Sequence, residues 1–249
     1  MTDGNKEDVT TAMKIITPDT LKRIIVIAGG YGSGKSEVAV NLAKLFAEQG
    51  ETVTLADVDL VNPYFRSREA AKVLEARGIR CIIPPGDQIQ ADLPIVLPEI
   101  KGAVQQSDGV VILDVGGDDV GSRVLSSLAD GFTPGSYDLL LVLNKNRPFT
   151  ADVPGTLKVM KEIEDASKLT FTGIVANTHL LDSTDVNDIV TGIAHARDVA
   201  KASGLPVAFV SGLADIVQDL PAAEAEVPVL PLERELLKPW ERKGATRTT

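Results

Sequence analysis

From residue 23 onward, short apolar runs alternate along the chain with longer amphipathic stretches. The short runs are rich in Val, Ile and Leu, as expected of strands covered on both faces, and they span residues 24–28, 53–56, 110–115, 139–143, 171–176 and 207–210. The stretches between them repeat apolar residues at helical spacing and span residues 35–49, 67–77, 121–128, 153–167 and 184–202. This alternation predicts an α/β fold: a three-layer sandwich with a mostly parallel central sheet.

Two segments do not follow this pattern. Residues 1–20 mix charge, Thr and Pro without periodicity, which predicts a flexible N-terminal arm with a short edge strand near residues 13–16. Residues 84–99 contain four prolines, and proline in a helix interior removes a hydrogen bond. We therefore predict a surface loop there, between a short strand at 80–83 and a helix near 98–106. No repeat or linker divides the rest, so residues 21–249 are predicted to form one domain.

The most specific motif follows the first predicted strand and precedes the first predicted helix. It matches G-x-x-x-x-G-K-[ST], the Walker A pattern, in which small residues let the backbone amides wrap a phosphate at a helix N-terminus. The lysine of such a loop reaches the β- and γ-phosphates, and its hydroxyl residue ligates Mg²⁺. The motif predicts a fold of the P-loop NTPase type. The nucleotide-binding residues are Gly29, Gly30, Tyr31, Gly32, Ser33, Gly34, Lys35 and Ser36.

Carboxylates stand at the ends of two predicted strands, where a P-loop hydrolase needs groups for Mg²⁺ and for its attacking water. Asp114 ends one apolar run, and the amides of Gly116 and Gly117 would sense the γ-phosphate. Asp57 and Asp59 share one face if their strand continues, so they compete for the second role. We favour Asp59, which lies nearer the carboxyl end. The predicted metal set is Ser36, Asp59 and Asp114, and the predicted catalytic set is Lys35, Asp59 and Asp114.

The amino-acid composition limits which binding partners and which cellular compartment we expect for the protein. The chain has 249 residues and a formal net charge of −10, which disfavours binding to nucleic acid or anionic membranes. A single cysteine excludes an intrachain disulfide framework and favours a cytoplasmic protein. No apolar run approaches the roughly 18 residues of a membrane span, and the acidic start does not follow the pattern of a signal peptide.

The order of these motifs resembles the MinD/ParA/CobQ-like branch of P-loop proteins, the SIMIBI class. The resemblance covers about residues 23–212 and is specific at 29–36, 57–62 and 114–117. It implies that the D-x-D strand end acts as switch I and the D-x-x-G segment as switch II. Members of this class are mostly ATP-driven dimeric switches that position proteins, insert metals or ligate small molecules. The resemblance thus implies ATP and Mg²⁺ as cofactors, an ATP-dependent homodimer, and a protein client or small-molecule substrate.

The chain departs from this class at two positions. Gly30 stands where many members carry a second lysine that reaches the phosphates across a dimer, so a lysine acting in trans from this position is excluded. Metal-inserting relatives use a paired-cysteine site, whereas this chain has Cys81 alone. Because Cys81 lies in an apolar, strand-like run, we predict a buried core residue.

The base preference rests on two asparagine segments. Residues 144–147 imitate the guanine-reading N-K-x-D motif, but Arg147 replaces the carboxylate. Asn177 directly follows a predicted strand, where related proteins place an asparagine that contacts adenine; a simple turn role stays open. These features favour ATP over GTP. His179 lies near the expected base site, and His195 lies on the polar face of its helix, where we expect it to be solvated.

Three arginines lie where they could take part in binding. Arg66, Arg68 and Arg147 follow strand ends, where they would meet phosphate, an anionic substrate or a partner's carboxylates, or simply solvent.

We favour an ATPase that acts as a nucleotide-dependent switch or assembly factor. A small-molecule kinase is the alternative, although Arg66 follows Asp59 without room for a substrate subdomain. A non-hydrolysing nucleotide-binding regulator is the third option.

Overall fold

The structure, a computed structural model, describes residues 13–58, 67–83, 89–105, 108–116, 119–224 and 226–235. For residues 67–70, 89–96, 119–120 and 122–123 it describes the backbone alone. In these parts of the chain, the strands are β1 (Ile24–Ala28), β2 (Val53–Val58), β3 (Arg80–Ile82), β4 (Val110–Val115), β5 (Tyr137–Leu143), β6 (Gly173–Ala176), β7 (Val207–Leu213) and β8 (Val229–Leu232). Neighbouring strands run parallel in the order β3-β2-β4-β1-β5-β6-β7-β8.

Helices connect the strands and cover both faces of the sheet. Within the described ranges they are α1 (Lys35–Glu48), α2 (Ser67–Glu75), α3 (Ile89–Gln105), α4 (Asp119–Leu128), α5 (Val153–Ser167), α6 (Val186–Ser203) and the single turn α7 (Ala214–Val217). Aspartates fix two of the helix starts, since Asp152 caps α5 through the Gly155 N–H at 2.7 Å, and Asp185 and Asp188 form a capping box on α6. The α/β fold with a parallel central sheet is confirmed.

Two hydrophobic cores lie on opposite faces of the sheet. Because successive strand residues point to opposite faces, Ile25 and Ile27 of β1 pack with Leu42 and Phe46 of α1, whereas Val26 belongs to the other core. That second core is covered by α3, α4, α5 and α6. Burying Phe46, which is fully inaccessible, stabilises the fold by roughly 1.5–3 kcal/mol. The near-continuous apolar strands of the sequence are thus explained by cover on both faces.

The helix α3 corrects the prediction for residues 84–99. We expected a surface loop up to a helix start near residue 98, but α3 runs from Ile89 to Gln105 and includes Pro94 and Pro98. Each proline removes one backbone donor at a cost of about 3 kcal/mol in an exposed helix. Here Ile100 and Val104 are buried in the core, and this apolar burial opposes the cost of the prolines. Residues 84–88 lie outside the described part.

The ends of the described chain pack against the domain. Residues 13–20 were predicted as part of a flexible arm, yet Ile16 is fully buried and its N–H donates to the Val229 carbonyl at 3.1 Å. The expected edge strand near residues 13–16 is reduced to one parallel bridge, Ile15 to Val229. Residues 1–12 are not described, so a shorter arm stays a prediction.

After β8, the chain runs along α1. The Asn41 side chain donates to the Glu233 carbonyl at 3.0 Å and accepts from the Glu233 N–H at 2.8 Å. Lys44, only 5% exposed, forms ion pairs with Glu233 and Glu235. Burial alone would lower the pKa of Lys44, but the hydrogen bonds and charges of these two glutamates outweigh burial and raise it. The segment 233–235 therefore holds the helix that follows the glycine-rich loop.

The strand order also locates the ligand-binding edge of the sheet. The chain passes from β1 to β2 and β3, returns to β4 beside β1, and then continues on the other side of β1 with β5. In open parallel sheets, ligands bind beyond the carboxyl ends of the strands at such a reversal of strand order. The loop between β1 and α1 leaves the sheet at this point. In the described part of the chain, none of the helices has the length and apolarity needed to cross a membrane.

Candidate functional site

The glycine-rich loop of residues 29–34 connects β1 directly to α1, as its motif predicts. Three of its glycines are required by the backbone: Gly29 has φ of +151°, Gly32 has φ of +73° and Gly34 has φ of +90°. Side chains are also excluded by space, because a β-carbon on Gly34 would lie 2.4 Å from Nδ2 of Asn177, and one on Gly32 would lie 2.9 Å from Nε of Arg147. The loop therefore exposes backbone rather than side chains at the start of α1.

Two donors of the loop share one acceptor. Lys35, 7% exposed, donates from Nζ to the Gly30 carbonyl at 3.1 Å, and the Ser33 N–H donates to the same carbonyl at 3.2 Å. The lysine thus folds back over its own loop. A phosphate placed in the loop would compete with the Gly30 carbonyl for both donors. Because the phosphate is charged, its hydrogen bonds would be stronger than those to the carbonyl.

Side chains from two neighbouring strand ends bind the outer carbonyls of the loop. Arg147, which follows β5, donates from Nε to the Gly32 carbonyl at 2.7 Å. Asn177, which follows β6, donates from Nδ2 to the Ser33 carbonyl at 2.7 Å. Nε2 of His179, in the same loop after β6, lies next to Gly34. The sequence placed all three side chains near a nucleotide, but it did not predict their contacts with the loop.

A buried polar network supports these strand ends. Ser211 of β7 donates from Oγ to Oδ1 of Asn177 at 3.0 Å, and Asn177 is only 2% exposed. The buried Asn144 donates from Nδ2 to the His179 carbonyl at 3.2 Å, while its Oδ1 accepts from the backbone N–H groups of Asn146 and His179. Buried amides of this kind are costly unless bonded, so the network holds the two loops in one arrangement.

The surroundings of His179 keep its ring neutral. Burial, and after it the positive charge of Arg147, lower the pKa of His179 to about 4, although its bond to the Ser33 backbone acts in the opposite direction. The Leu181 N–H lies 3.4 Å from Nδ1, which accepts it, so Nε2 carries the proton. A neutral, Nε2-protonated imidazole is the form that donates to a carbonyl.

This pKa shift predicts a pH-dependent stability. The folded protein keeps His179 neutral down to about pH 4, whereas the unfolded chain takes up a proton near pH 6.5. Its contribution to the unfolding free energy is therefore complete above pH 6.5 and is lost as the pH falls towards 4. Between pH 7 and pH 5, the unfolding free energy of wild type should fall by about 1–2 kcal/mol more than that of His179→Gln, measured by urea unfolding. Equal losses in both proteins would contradict a depressed pKa.

Two buried carboxylates lie near the carboxyl ends of neighbouring strands. Asp57 of β2 and Asp114 of β4 are register partners on neighbouring strands and are 1% and 0% exposed. Leu55 and Ile112, two residues earlier on these strands, pack in the core that contains α1. By the strict alternation of strand side chains, Asp57 and Asp114 face the same side as α1. Neighbouring strands are about 4.8 Å apart, so the two carboxylates repel each other when both are ionised.

The described residues fit a nucleotide with Mg²⁺. The Ser33 hydroxyl is buried in the loop, and no hydrogen bond to it exists among the described residues. Buried polar atoms without a partner are rare, and a phosphate oxygen or a metal-bound water would satisfy this one. No cluster of three or more His, Cys, Asp or Glu side chains in the described ranges could hold a metal alone. Mg²⁺ commonly needs few protein ligands when phosphates and waters supply the others.

Several predicted site residues fall outside the described part. Asp59, Arg66 and Gly117 are among them, and for Arg68 the structure describes only the backbone, at the start of α2. Asp57, which we ranked second for the switch I role, is the described carboxylate that pairs in register with Asp114. The choice between Asp57 and Asp59 therefore stays open.

Two predictions outside the site need correction. His195 was expected to be solvated, but it is 7% exposed, and its Nε2 donates to the Thr150 carbonyl at 3.0 Å. The helix face that carries it packs against the turn at Pro148–Thr150. Cys81 is half-buried at the edge strand β3 rather than fully buried. Burial, with Glu75 nearby, raises the pKa of its thiol to about 11, so it stays protonated at neutral pH.

Solved structures similar to this chain share its fold. The cell division protein FtsY of Thermotoga maritima has a TM-score of 0.52 and 24% sequence identity; the match covers 81% of this chain and 65% of that one. FtsY of Mycoplasma mycoides has a TM-score of 0.51 and 20% identity over 82% and 63% of the two chains. A nucleotide-binding protein of Archaeoglobus fulgidus, solved with ADP, has a TM-score of 0.49 and 18% identity over 80% and 86%. The chain thus spans just under two thirds of each FtsY chain.

Sequence comparison gives the family. A search of curated proteins found no significant match. A family profile, the CobQ/CobB/MinD/ParA nucleotide binding domain (CbiA), matches residues 24–201. The matched range begins with β1 and ends in α6, so it includes the glycine-rich loop, Asp114 and the Asn177 strand end. The chain therefore belongs to the CobQ/CobB/MinD/ParA family of P-loop nucleotide-binding domains, the SIMIBI class that its motifs resemble.

Proposed function

We propose that this protein binds Mg-ATP, hydrolyses it, and acts as a nucleotide-dependent switch or assembly factor. The observation that carries the proposal is the position of the glycine-rich loop and Lys35, at the strand-order reversal beside the buried pair Asp57 and Asp114. We further propose a cytoplasmic protein that acts on a protein client or a small-molecule substrate and forms a homodimer when ATP is bound.

The chemistry follows from what each group carries. The backbone amides of the loop, the N-terminus of α1 and the Lys35 ammonium are donors or positive charges, and they suit the negative phosphates. The Ser36 hydroxyl at the first turn of α1, with Asp114 and either Asp57 or Asp59, would hold Mg²⁺ through oxygen atoms and waters. Mg²⁺, when bound, would neutralise charge on the phosphates, and Asp114 with either Asp57 or Asp59 would orient a water for attack on the γ-phosphorus, with ADP as the leaving group.

The preference for ATP rests on the two strand ends next to the loop. Residues 144–147 are a poor guanine site, because Arg147 replaces the carboxylate and both polar atoms of the Asn144 side chain bond the protein backbone. Asn177 retains a second amide proton besides the one that it donates to Ser33, and this proton suits a ring nitrogen of adenine. Turnover by the protein alone should be slow, because Gly30 replaces the trans lysine.

The test compares nucleotides on the purified wild-type protein. Isothermal titration calorimetry with Mg-ATP and Mg-GTP should give at least tenfold tighter binding of ATP, and released phosphate should accumulate slowly with ATP. Equal or tighter binding of GTP would contradict the ATP preference. Tight binding without phosphate release, alone or with a client, would favour a non-hydrolysing regulator. Transfer of the γ-phosphate to a metabolite would instead establish a kinase.

A further inference from the structure

We propose that Arg147 is a positioning residue that orients the glycine-rich loop by holding the carbonyl of Gly32. The inference rests on the proposed nucleotide binding and assigns this side chain a role in it. The side chain does not need to touch the nucleotide for this role. The hydrogen bond from Arg147 Nε to the Gly32 carbonyl, at 2.7 Å, carries the proposal.

The geometry of the peptide bond links these contacts to phosphate binding. In a trans peptide the C=O and the N–H point in opposite directions, and the described chain contains no cis peptide. Holding the Gly32 carbonyl outward therefore turns the Ser33 N–H inward, where it donates to the Gly30 carbonyl. Holding the Ser33 carbonyl outward turns the Gly34 N–H inward, and among the described residues no hydrogen bond uses that N–H. The Gly34 N–H is therefore open to an anion, whereas an anion at the Ser33 N–H would compete with the Gly30 carbonyl.

The loop needs this support because its glycines do not fix their own conformation. Gly32 and Gly34 lie at positive φ, a region that glycine enters freely but also leaves freely. Side chains from two different strand ends fix the two carbonyls, and the buried amides of Asn144 and Asn177 fix those strand ends in turn. The loop is thus already ordered before the ligand binds, so binding does not lose the conformational entropy of the loop. This raises the affinity for any ligand that uses the loop amides.

The donor atom that Arg147 uses also distinguishes this positioning role from direct contact with the nucleotide. Arg147 uses Nε, the donor nearest its backbone, whereas a γ-phosphate contact would rest on its charge. A positioning role depends on one N–H at a given place along the side chain and does not depend on charge.

Glutamine provides a matched variant at this position. Its Nε2 stands at the same number of bonds from the backbone as Arg Nε, so Arg147→Gln keeps the donor. Arg147→Met removes the donor at a volume similar to that of glutamine. Lys145→Ala removes a charge from the same loop; its side chain makes no hydrogen bond among the described residues.

The experiment measures the affinity of each variant for Mg-ATP, Mg-ADP and Mg-tripolyphosphate by calorimetry. Arg147→Met should weaken the binding of all three probes by the same factor, about tenfold, as expected for one lost hydrogen bond. Arg147→Gln and Lys145→Ala should stay within threefold of wild type. Arg147→Gln and Arg147→Met should have the same melting temperature, so that the loss of affinity is not a loss of folded protein.

Each contrary result has a distinct meaning. Loss confined to Mg-ATP and Mg-tripolyphosphate, equal in Arg147→Gln and Arg147→Met, would show a γ-phosphate contact by the arginine charge and overturn the inference. Loss confined to the two nucleotides in Arg147→Met would show a base contact and would also overturn it. If wild type binds and all variants bind equally, only the inference fails. If wild type binds none of the probes, the proposed function fails as well.

Discussion

Lys35→Ala is expected to abolish Mg-ATP binding while the protein still folds. Lys35 supplies a positive charge at the loop, and its Nζ already lies over that loop at the Gly30 carbonyl, 3.1 Å away. Two charge-assisted hydrogen bonds to phosphates would be lost, each worth about 1.5–3 kcal/mol, so the affinity should fall at least 100-fold. Calorimetry measures the affinity, and a cooperative urea unfolding curve shows that the variant is folded.

Lys44→Ala is the matched control on the same helix. Lys44 is as buried as Lys35, but it pairs with Glu233 and Glu235 and not with the loop. Its loss should lower the unfolding free energy by about 1–3 kcal/mol and leave Mg-ATP affinity within threefold. The opposite patterns of the two variants separate phosphate binding from stability. An unchanged affinity of folded Lys35→Ala would reject the phosphate-loop assignment.

Much of the fold follows from local patterns that the structure preserves. Each predicted helix has a counterpart, and so does each predicted strand after the edge strand near residues 13–16, because runs buried on both faces and helices with one apolar face leave strong periodic signals. The errors occur where tertiary packing outweighs a local preference. Pro94 and Pro98 lie inside α3, whose Ile100 and Val104 are buried in the core, and β8 is a short edge strand whose four residues carry little periodic signal.

The site was predicted unevenly for a related physical reason. The glycine-rich loop is contiguous in sequence, so its residues, strand and helix are visible in one segment. The contacts of Arg147, Asn177 and Ser211 join residues up to 144 positions apart, and only the strand order brings them together. The pairing of Asp57 with Asp114 likewise depends on the register of β2 against β4. Alternation within one strand cannot reveal that register.

Asp114→Asn should reduce nucleotide hydrolysis far more than nucleotide binding. Asp114 is fully buried on the face of the sheet that carries α1, in register with Asp57. Its carboxylate would orient a Mg²⁺-bound water in the proposed mechanism, and the amide of asparagine keeps the shape but lacks the charge. Loss of a group that positions protons or charge in the transition state typically costs about 10²–10⁴ in rate. The loop amides and Lys35 would still hold the nucleotide, so the affinity should change less than tenfold.

Single-turnover hydrolysis of Mg-ATP, followed by released phosphate, measures this effect. Asp108→Asn is the control, because Asp108 is exposed just before the opposite end of the same strand and changes the net charge equally. Asp57→Asn and Asp59→Asn in the same assay decide which carboxylate shares the role, since only one of them should match the loss in Asp114→Asn. A normal rate in Asp114→Asn would remove this strand end from the proposed mechanism. Equal losses in Asp114→Asn and Asp108→Asn would trace the effect to net charge rather than to a positioned water.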